Sequence, residues 1–204
     1  MDMEQLMFFK EQGQTPGLPP DLLQYHPCVF SSQEGDIILN ALIEETPWQQ
    51  KLVKMYERDV LTPRLTAWYA NEDTCDYTSL RRSSPNVWTP QLIAIKKRIE
   101  LVTKTSFNSV LLNYYRDGND SVAWHSDNEK ALGTHPLIAS VSFGQVRSFD
   151  IRSKNNHVEK YSIRLESGSL LLMKGDLQQH WEHRVAKSVR PMKRRLNLTF
   201  RVVI

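Results

Sequence analysis

The sequence is short of several features that would settle its class at once. Its 2 cysteines, Cys28 and Cys75, form no CxxC pair, which excludes a disulfide scaffold, a thiol redox motif and a zinc ribbon. No stretch approaches the roughly 20 consecutive apolar residues of a membrane helix. The opening MDMEQLMFFKEQ has acids ahead of a very short apolar run, without the basic start and long apolar centre of a signal peptide. There is no internal repeat and no low-complexity tract. These absences predict a cytoplasmic protein, nuclear in a eukaryote, with no membrane partner. A chain of 204 residues buries roughly 70% of its unfolded surface, so one domain can hold a core without cross-links.

Acid is missing from one stretch in particular. Between Arg184 and Arg201 lie Lys187, Arg190, Lys193, Arg194 and Arg195, and no carboxylate, although the whole chain carries a net charge of only +3. Lys51, Lys54, Arg58, Arg64, Arg81 and Arg82 form looser groups, interleaved with Tyr56, Trp68, Tyr69 and Tyr77. Cations alternating with rings suit nucleic acid, where charges meet phosphate and rings stack on bases. An ordinary solvated surface explains the same pattern equally well.

Two helices stand near the start. Ser31 or Ser32 can cap SSQEGDIILNALIEETPW, whose Ile37, Ile38, Leu42 and Ile43 fall near helical spacing, with Pro47 at its end. Thr89 and Pro90 open TPQLIAIKKRIELVTK, where Leu92, Ile95, Ile99 and Val102 make one apolar face. Beyond it the period becomes two, in short runs such as SVLLNYYR, AWHSD, LIASVSFG, SLLLMKG, HWEHRVA and RLNLTFRVVI. Many short strands after two helices predict an α+β protein, mainly β: a jelly roll with the helices packed on one sheet.

Three features of those strands point to chemistry. His125 and Asp127 in WHSDNE are two apart, so on one strand they would share a face. A later strand, WEHRV, offers His183. In RRLNLTFR, Arg195, Asn197, Thr199 and Arg201 alternate with Leu196, Leu198 and Phe200. Singly, each has a plain explanation: a polar pair, a hydrogen-bonded strand histidine, edge-strand charges. Together, two His and one carboxylate make the facial triad of non-haem iron(II) oxygenases. A row with two inward arginines suggests a pocket for a small dianion, since guanidinium recognises carboxylate through paired, planar bonds. A dicarboxylate beside such a triad points to 2-oxoglutarate.

The stretches NYYRDGND, AWHSDNE, PLIASVSFG, SGSLLLMKG, WEHRV and RRLNLTFR, in this order, resemble the AlkB family of iron(II)- and 2-oxoglutarate-dependent dioxygenases. The likeness runs from about Pro63 to the C-terminus and is greatest to the branch that repairs alkylated DNA. It implies a double-stranded β-helix, the jelly roll already expected. It implies that His125, Asp127 and His183 bind Fe(II), and that Asn113 and Tyr115 contact 2-oxoglutarate. Arg195 would pair with the distal carboxylate, and Arg201, beside Asn197 and Thr199, would help hold the chelating end. The implied reaction uses O2 to decarboxylate 2-oxoglutarate to succinate and to hydroxylate an N-methyl carbon, which leaves as formaldehyde. The implied substrates are 1-methyladenine and 3-methylcytosine in alkylated DNA, or in RNA. Duplex substrates would require base flipping.

Substrate contacts follow from the same resemblance. Asn128 stands where the branch usually has Asp, followed by the usual Glu129, which could accept a bond from an exocyclic amine. Ser79 stands where relatives have an aromatic, so stacking would fall to Tyr77, with Trp68 and Tyr69 as further candidates. Tyr56 lies where duplex-repairing relatives place an aromatic finger. The expected organisation is an N-terminal extension (1–30) and a single dioxygenase domain (31–204), with a nucleotide-recognition region at about 50–90 and the jelly-roll core at about 104–204. A monomer is expected. Two other classes share these residues: a dioxygenase of this fold acting on protein or a small molecule, and a non-catalytic nucleic-acid-binding module. The basic, aromatic-rich region before Pro90 speaks against the first, and the complete triad and arginine row against the second.

Overall fold

The computed structural model describes residues 19–55, 58–72, 74 and 84–204. Its first helix, α1 (Ser32–Glu45), begins where the sequence places a cap. Ser31 Oγ accepts the Glu34 backbone N–H at 3.3 Å, and Glu34 Oε2 accepts the Ser31 N–H at 2.8 Å, satisfying two donors that the helix start leaves open. It stops at Thr46, which is extended because the ring of Pro47 disfavours helical backbone before it. The second helix, α2 (Pro90–Thr103), is capped by Thr89, whose Oγ1 accepts the Leu92 N–H at 3.2 Å, and ends as Lys104 turns left-handed. Arg98 of α2 donates to Glu34 of α1 at 2.6 Å, tying the two helices together.

Strands are numbered β1 to β12 along the chain. A six-stranded antiparallel sheet contains β1 (Leu23–His26), β4 (Leu65–Ala70), β5 (Ser109–Tyr115), β7 (Ile138–Gly144), β10 (Ser169–Met173) and β12 (Arg195–Arg201). Their order across the sheet is β1-β10-β7-β12-β5-β4. A four-stranded sheet is made of β6 (Val122–His125), β8 (Arg147–Ser153), β9 (Lys160–Leu165) and β11 (Trp181–Val185), in the order β6-β11-β8-β9. The hairpin β2 (Leu52–Met55) and β3 (Arg58–Leu61) stands apart, and a single helical turn, α3 (Leu177–His180), links β10 to β11.

Two apolar layers result. Leu39, Leu42, Leu92, Ile95 and Ile99 of the helices pack on Val141, Leu196, Leu198 and Phe200 of the larger sheet. Between the sheets, Ile138, Leu171 and Met173 meet Phe149, Ile151 and Leu165. This is the expected jelly roll with helices on one sheet. Residues read as N-terminal extension contribute to it: β1 pairs with β10 from Leu23↔Met173 to His26↔Leu170, and Leu23 is buried.

β12 lies between β5 and β7 and sets the site. Its even positions, Leu196, Leu198 and Phe200, face the helices. Its odd positions therefore face the second sheet. Register brings Arg195 opposite Tyr115 and Asn197 opposite Asn113 on one side, and Asn197 opposite Ser142 and Thr199 opposite Ser140 on the other.

Candidate active site

Between the sheets a cavity of about 220 Å³ opens to solvent. Its wall contains every residue expected to touch metal or 2-oxoglutarate: His125, Asp127, His183, Asn113, Tyr115, Arg195, Asn197, Thr199 and Arg201. β6 supplies His125 and β11 supplies His183, in direct register, with ring centroids 4.3 Å apart. Asp127 lies two residues beyond the end of β6, so strand alternation is not what aims it. Long-range bonds do that. Arg201 Nη2 donates to Asp127 Oδ2 at 2.8 Å, and the Asp127 backbone N–H donates to Gln178 Oε1 at 2.8 Å. One nitrogen or oxygen from each of His125, Asp127 and His183 lies within 4.8 Å of the other two.

The protonation states suit metal ligands. Burial opposes charge on Asp127, but the Arg201 guanidinium and the two imidazoles hold its carboxyl well below the usual carboxylate range. Burial, followed by the neighbouring His125, pushes His183 down to about 3, so it is neutral at physiological pH with a lone pair to give. His125 Nδ1 lies 2.9 Å from the Ala123 carbonyl oxygen, which can only accept, so the proton sits there. Nε2, 3.8 Å from Asp127 Oδ1, is then the donor nitrogen left for a metal.

Arg195 marks the opposite wall. It is 1% exposed, and its Nη2 donates to Ser142 Oγ at 2.9 Å. Its guanidinium also lies over the Tyr115 ring, 5.0 Å from the centroid. Nε and Nη1 have no hydrogen-bond partner, and no carboxylate among the described residues is in ion-pair reach. Burial lowers its pKa, yet guanidinium remains charged in any protein environment. A buried cation without a counter-ion is costly, and an anion in the cavity would relieve that cost.

Comparison with known proteins shows the family. The model of the 2OG-Fe(II) oxygenase superfamily matches residues 22–201. Alpha-ketoglutarate-dependent dioxygenase alkB homolog 3 of Rattus norvegicus is 42% identical over 186 residues, covering 87% of this chain and 63% of that protein. DNA oxidative demethylase ALKBH2 of Mus musculus is 33% identical over 186 residues, covering 86% of this chain and 78% of that protein. The chain belongs to the AlkB family.

This AlkB-family chain spans 63–65% of the length of the homolog 3 proteins it matches. The solved structure of OsALKBH1 has the same fold, with a TM-score of 0.65, 17% identity, and coverage of 90% of this chain and 99% of that one. The family implies iron(II) and 2-oxoglutarate, and the residues present fit both. A His–Asp–His donor set stands ready, and a buried arginine with no carboxylate partner among the described residues faces the same cavity.

Substrate-side expectations fare less evenly. Glu129 lines the cavity, whereas Asn128 is exposed and outside its wall. Trp68 and Tyr69, expected as stacking candidates, are 4% and 2% exposed. Trp68 packs between the sheets, its Nε1 donating to Ser109 Oγ at 2.8 Å, and Tyr69 packs under the helices. Neither lines the cavity, and buried rings cannot stack on a base, so both belong to the core. Tyr56, Tyr77 and Ser79 lie outside the described residues.

Several site residues escaped the sequence reading. Ser140 and Ser142 accept from Asn197 Nδ2 at 2.7 Å and from Arg195 Nη2 at 2.9 Å. Their signal was present, as two serines at spacing two inside the apolar run LIASVSFG. Arg64, read only as one of the loose basic groups, lines the cavity and donates from Nε to Asn113 Oδ1 at 2.7 Å. Gln178 left no local signal.

Proposed function

We propose that this chain is an oxidative demethylase of N-alkylated bases in nucleic acid, with His125, Asp127 and His183 holding Fe(II) and Arg195 anchoring 2-oxoglutarate. The observation that carries this reading is the pairing, in one cavity, of the three-residue donor set with a fully buried arginine that has no counter-ion among the described residues. Iron(II), when bound, supplies with O2 and 2-oxoglutarate the oxidising chemistry that yields succinate and CO2 and hydroxylates an N-methyl carbon. The N-hydroxymethyl product then breaks its N–C bond, giving the free base and formaldehyde.

The chain's own residues select charge states and positions. Arg201 keeps Asp127 ionised, and burial keeps His183 neutral, so neither must shed a proton before ligating. Ser142 orients Arg195 towards one carboxylate of the co-substrate, with Tyr115, Asn113, Asn197 and Thr199 as neighbours along the same face. Arg201 serves the chelating end while it holds Asp127. Glu129 at the wall would accept from an exocyclic amine and favour a cationic lesion such as 1-methyladenine or 3-methylcytosine. Asn128 would meet the flanking strand instead of the base, because it is exposed.

Support for nucleic acid as substrate comes from the mouth of the cavity. A shallow groove shares Arg64, Val122, His125 and Val185 with it and is lined further by Val60, Leu61, Trp124, Arg184 and Lys187. Among the described residues, that lining contains cations and no carboxylate, which suits a sugar-phosphate chain. The domain that carries these functions starts no later than β1. The deciding assay follows formaldehyde and succinate from methylated oligonucleotides, single- and double-stranded, DNA and RNA, with Fe(II), 2-oxoglutarate and ascorbate. Asp127→Ala should abolish both products while leaving the circular dichroism spectrum unchanged. Turnover surviving that change would sink the iron assignment.

A further inference from the structure

HxD motifs are read as if the strand aims both ligands, yet here β6 ends at His125 and Asp127 stands on irregular backbone. What fixes that backbone is a clamp from the β10–β11 connection and the first residue of β11. Ser126 Oγ donates to the Trp181 carbonyl at 2.9 Å. The Asp127 N–H donates to Gln178 Oε1 at 2.8 Å, in a bond buried on both sides. Gln178 is 2% exposed, and its Nε2 points to Met173 Sδ at 3.7 Å, a weak acceptor that leaves the amide oriented with its oxygen towards Asp127.

The turn that carries Gln178 is itself held. Lys154 Nζ donates to the carbonyls of Gln178 at 3.0 Å and Gln179 at 2.9 Å, and the Lys154 N–H donates to the His180 carbonyl at 2.9 Å. α3 therefore sits between a lysine bracket on one side and the Asp127 backbone on the other. It runs directly into β11, which carries His183. The carboxylate and the distal imidazole of the triad are thus positioned through the same short connection.

We propose that Gln178 is a positioning residue for the metal centre: its side-chain oxygen holds the Asp127 backbone so that the carboxylate meets His125 and His183 with Arg201 behind it. This rests on the metal-site reading above. Arg201 alone fixes one carboxylate oxygen, and a single bond leaves the side chain free to pivot about it. The Gln178 bond removes that freedom at the Cα end. Partners of this kind, one bond removed from the metal, typically alter affinity by about 10–100-fold.

The test is Mn(II) binding, read by electron paramagnetic resonance, on the full chain. Gln178→Leu keeps the volume and removes the acceptor, while Gln178→Asn keeps the amide and withdraws it by one methylene. Both should fold, and both should bind Mn(II) at least about tenfold more weakly than the parent chain. Either variant binding Mn(II) with parental affinity while folded overturns the proposal. Independently of any variant, the Asp127 amide should exchange slowly with solvent although it lies outside every strand; rapid exchange likewise overturns it. Asp127→Ala serves as the reference. If that change leaves Mn(II) binding intact, it is the metal-site reading that fails, whatever Gln178 does.

Discussion

Asp120 shows how one carboxylate can hold the approach to the site. It closes the turn between β5 and β6, where its Oδ2 accepts the Arg116 backbone N–H at 2.9 Å and Nε at 2.8 Å, and Oδ1 accepts Nη2 at 2.9 Å. Behind it, the buried Arg147 guanidinium donates to the carbonyls of Asp117 at 3.1 Å, Asp120 at 3.1 Å and Ala186 at 2.6 Å. Burial opposes ionisation of Asp120, but the bonds from Arg116 prevail and hold its pKa below the ordinary aspartate value. A carboxylate with a depressed folded pKa contributes in full above its unfolded value of about 3.9 and loses that contribution as pH falls through the folded value. Asp120→Asn should therefore cost about 1–2 kcal/mol at pH 7, discounted for the half-exposed Arg116. The gap should close as pH falls below about 4. Urea denaturation midpoints of both chains, taken from pH 7 down to 3, measure this. A gap that persists in acid would mean that shape, not charge, holds the turn.

Among elements, the turn into β10 is the least forgiving. Gly168 has φ +80°, and a Cβ there would lie 2.1 Å from the Phe30 carbonyl oxygen. The approach is this close because Val29 and Phe30 both donate to the Gly168 carbonyl, at 2.9 and 3.0 Å, while the Gly168 N–H donates to Ser142 at 2.7 Å. Gly168→Ala should cost about 2–4 kcal/mol, a fall in Tm of about 5–15 °C. Gly133 has φ +69° as well, but its added Cβ would meet only the end of the Ile204 side chain, at 3.1 Å. Gly133, with ψ −167°, sits in a region open almost only to glycine. Gly133→Ala should therefore still cost about 1–3 kcal/mol by dihedral strain alone, and calorimetry on the pair reads what the backbone collision at Gly168 adds. Legibility from sequence also divides by element. β12 could be read in full because its two faces differ in polarity, so period two alone placed Arg195, Asn197, Thr199 and Arg201 inward. β4 misled because LTAWYA is buried on both faces, under the helices and between the sheets, and a run of rings next to cations looks the same whether covered or bare. β6 offered the His125–Asp127 pair for an incomplete reason: alternation reaches only to His125, and Asp127 owes its place to Gln178 and Arg201, 51 and 74 residues further on. No local pattern encodes such bonds.

At the scale of the molecule, the two apolar layers have different duties. The layer between helices and larger sheet is dry and supplies stability, with Leu92, Ile99, Val110, Leu112 and Phe200 wholly buried. The layer between the sheets is interrupted by the cavity, where Asp127, His183, Arg195 and Arg201 are all buried. Asp127 and Arg201 satisfy one another, but Arg195 has no counter-ion among the described residues, a cost to the folded chain that a bound dianion would lift. Because neither metal nor co-substrate has a site in the unfolded chain, both should raise Tm by mass action. Each ligand at a hundred times its Kd adds about 2.7 kcal/mol, or roughly 5–11 °C for a chain of this size. Thermal scans in Mn(II), and in Mn(II) with 2-oxoglutarate under anaerobic conditions, should show two successive increments. Arg195→Lys keeps the charge but loses the planar fork, so it should retain the metal increment and lose most of the second. Asp127→Ala should lose both, since a co-substrate that chelates the metal has nothing to chelate. If Arg195→Lys instead lost the metal increment too, the arginine would be supporting the triad and not receiving the dicarboxylate.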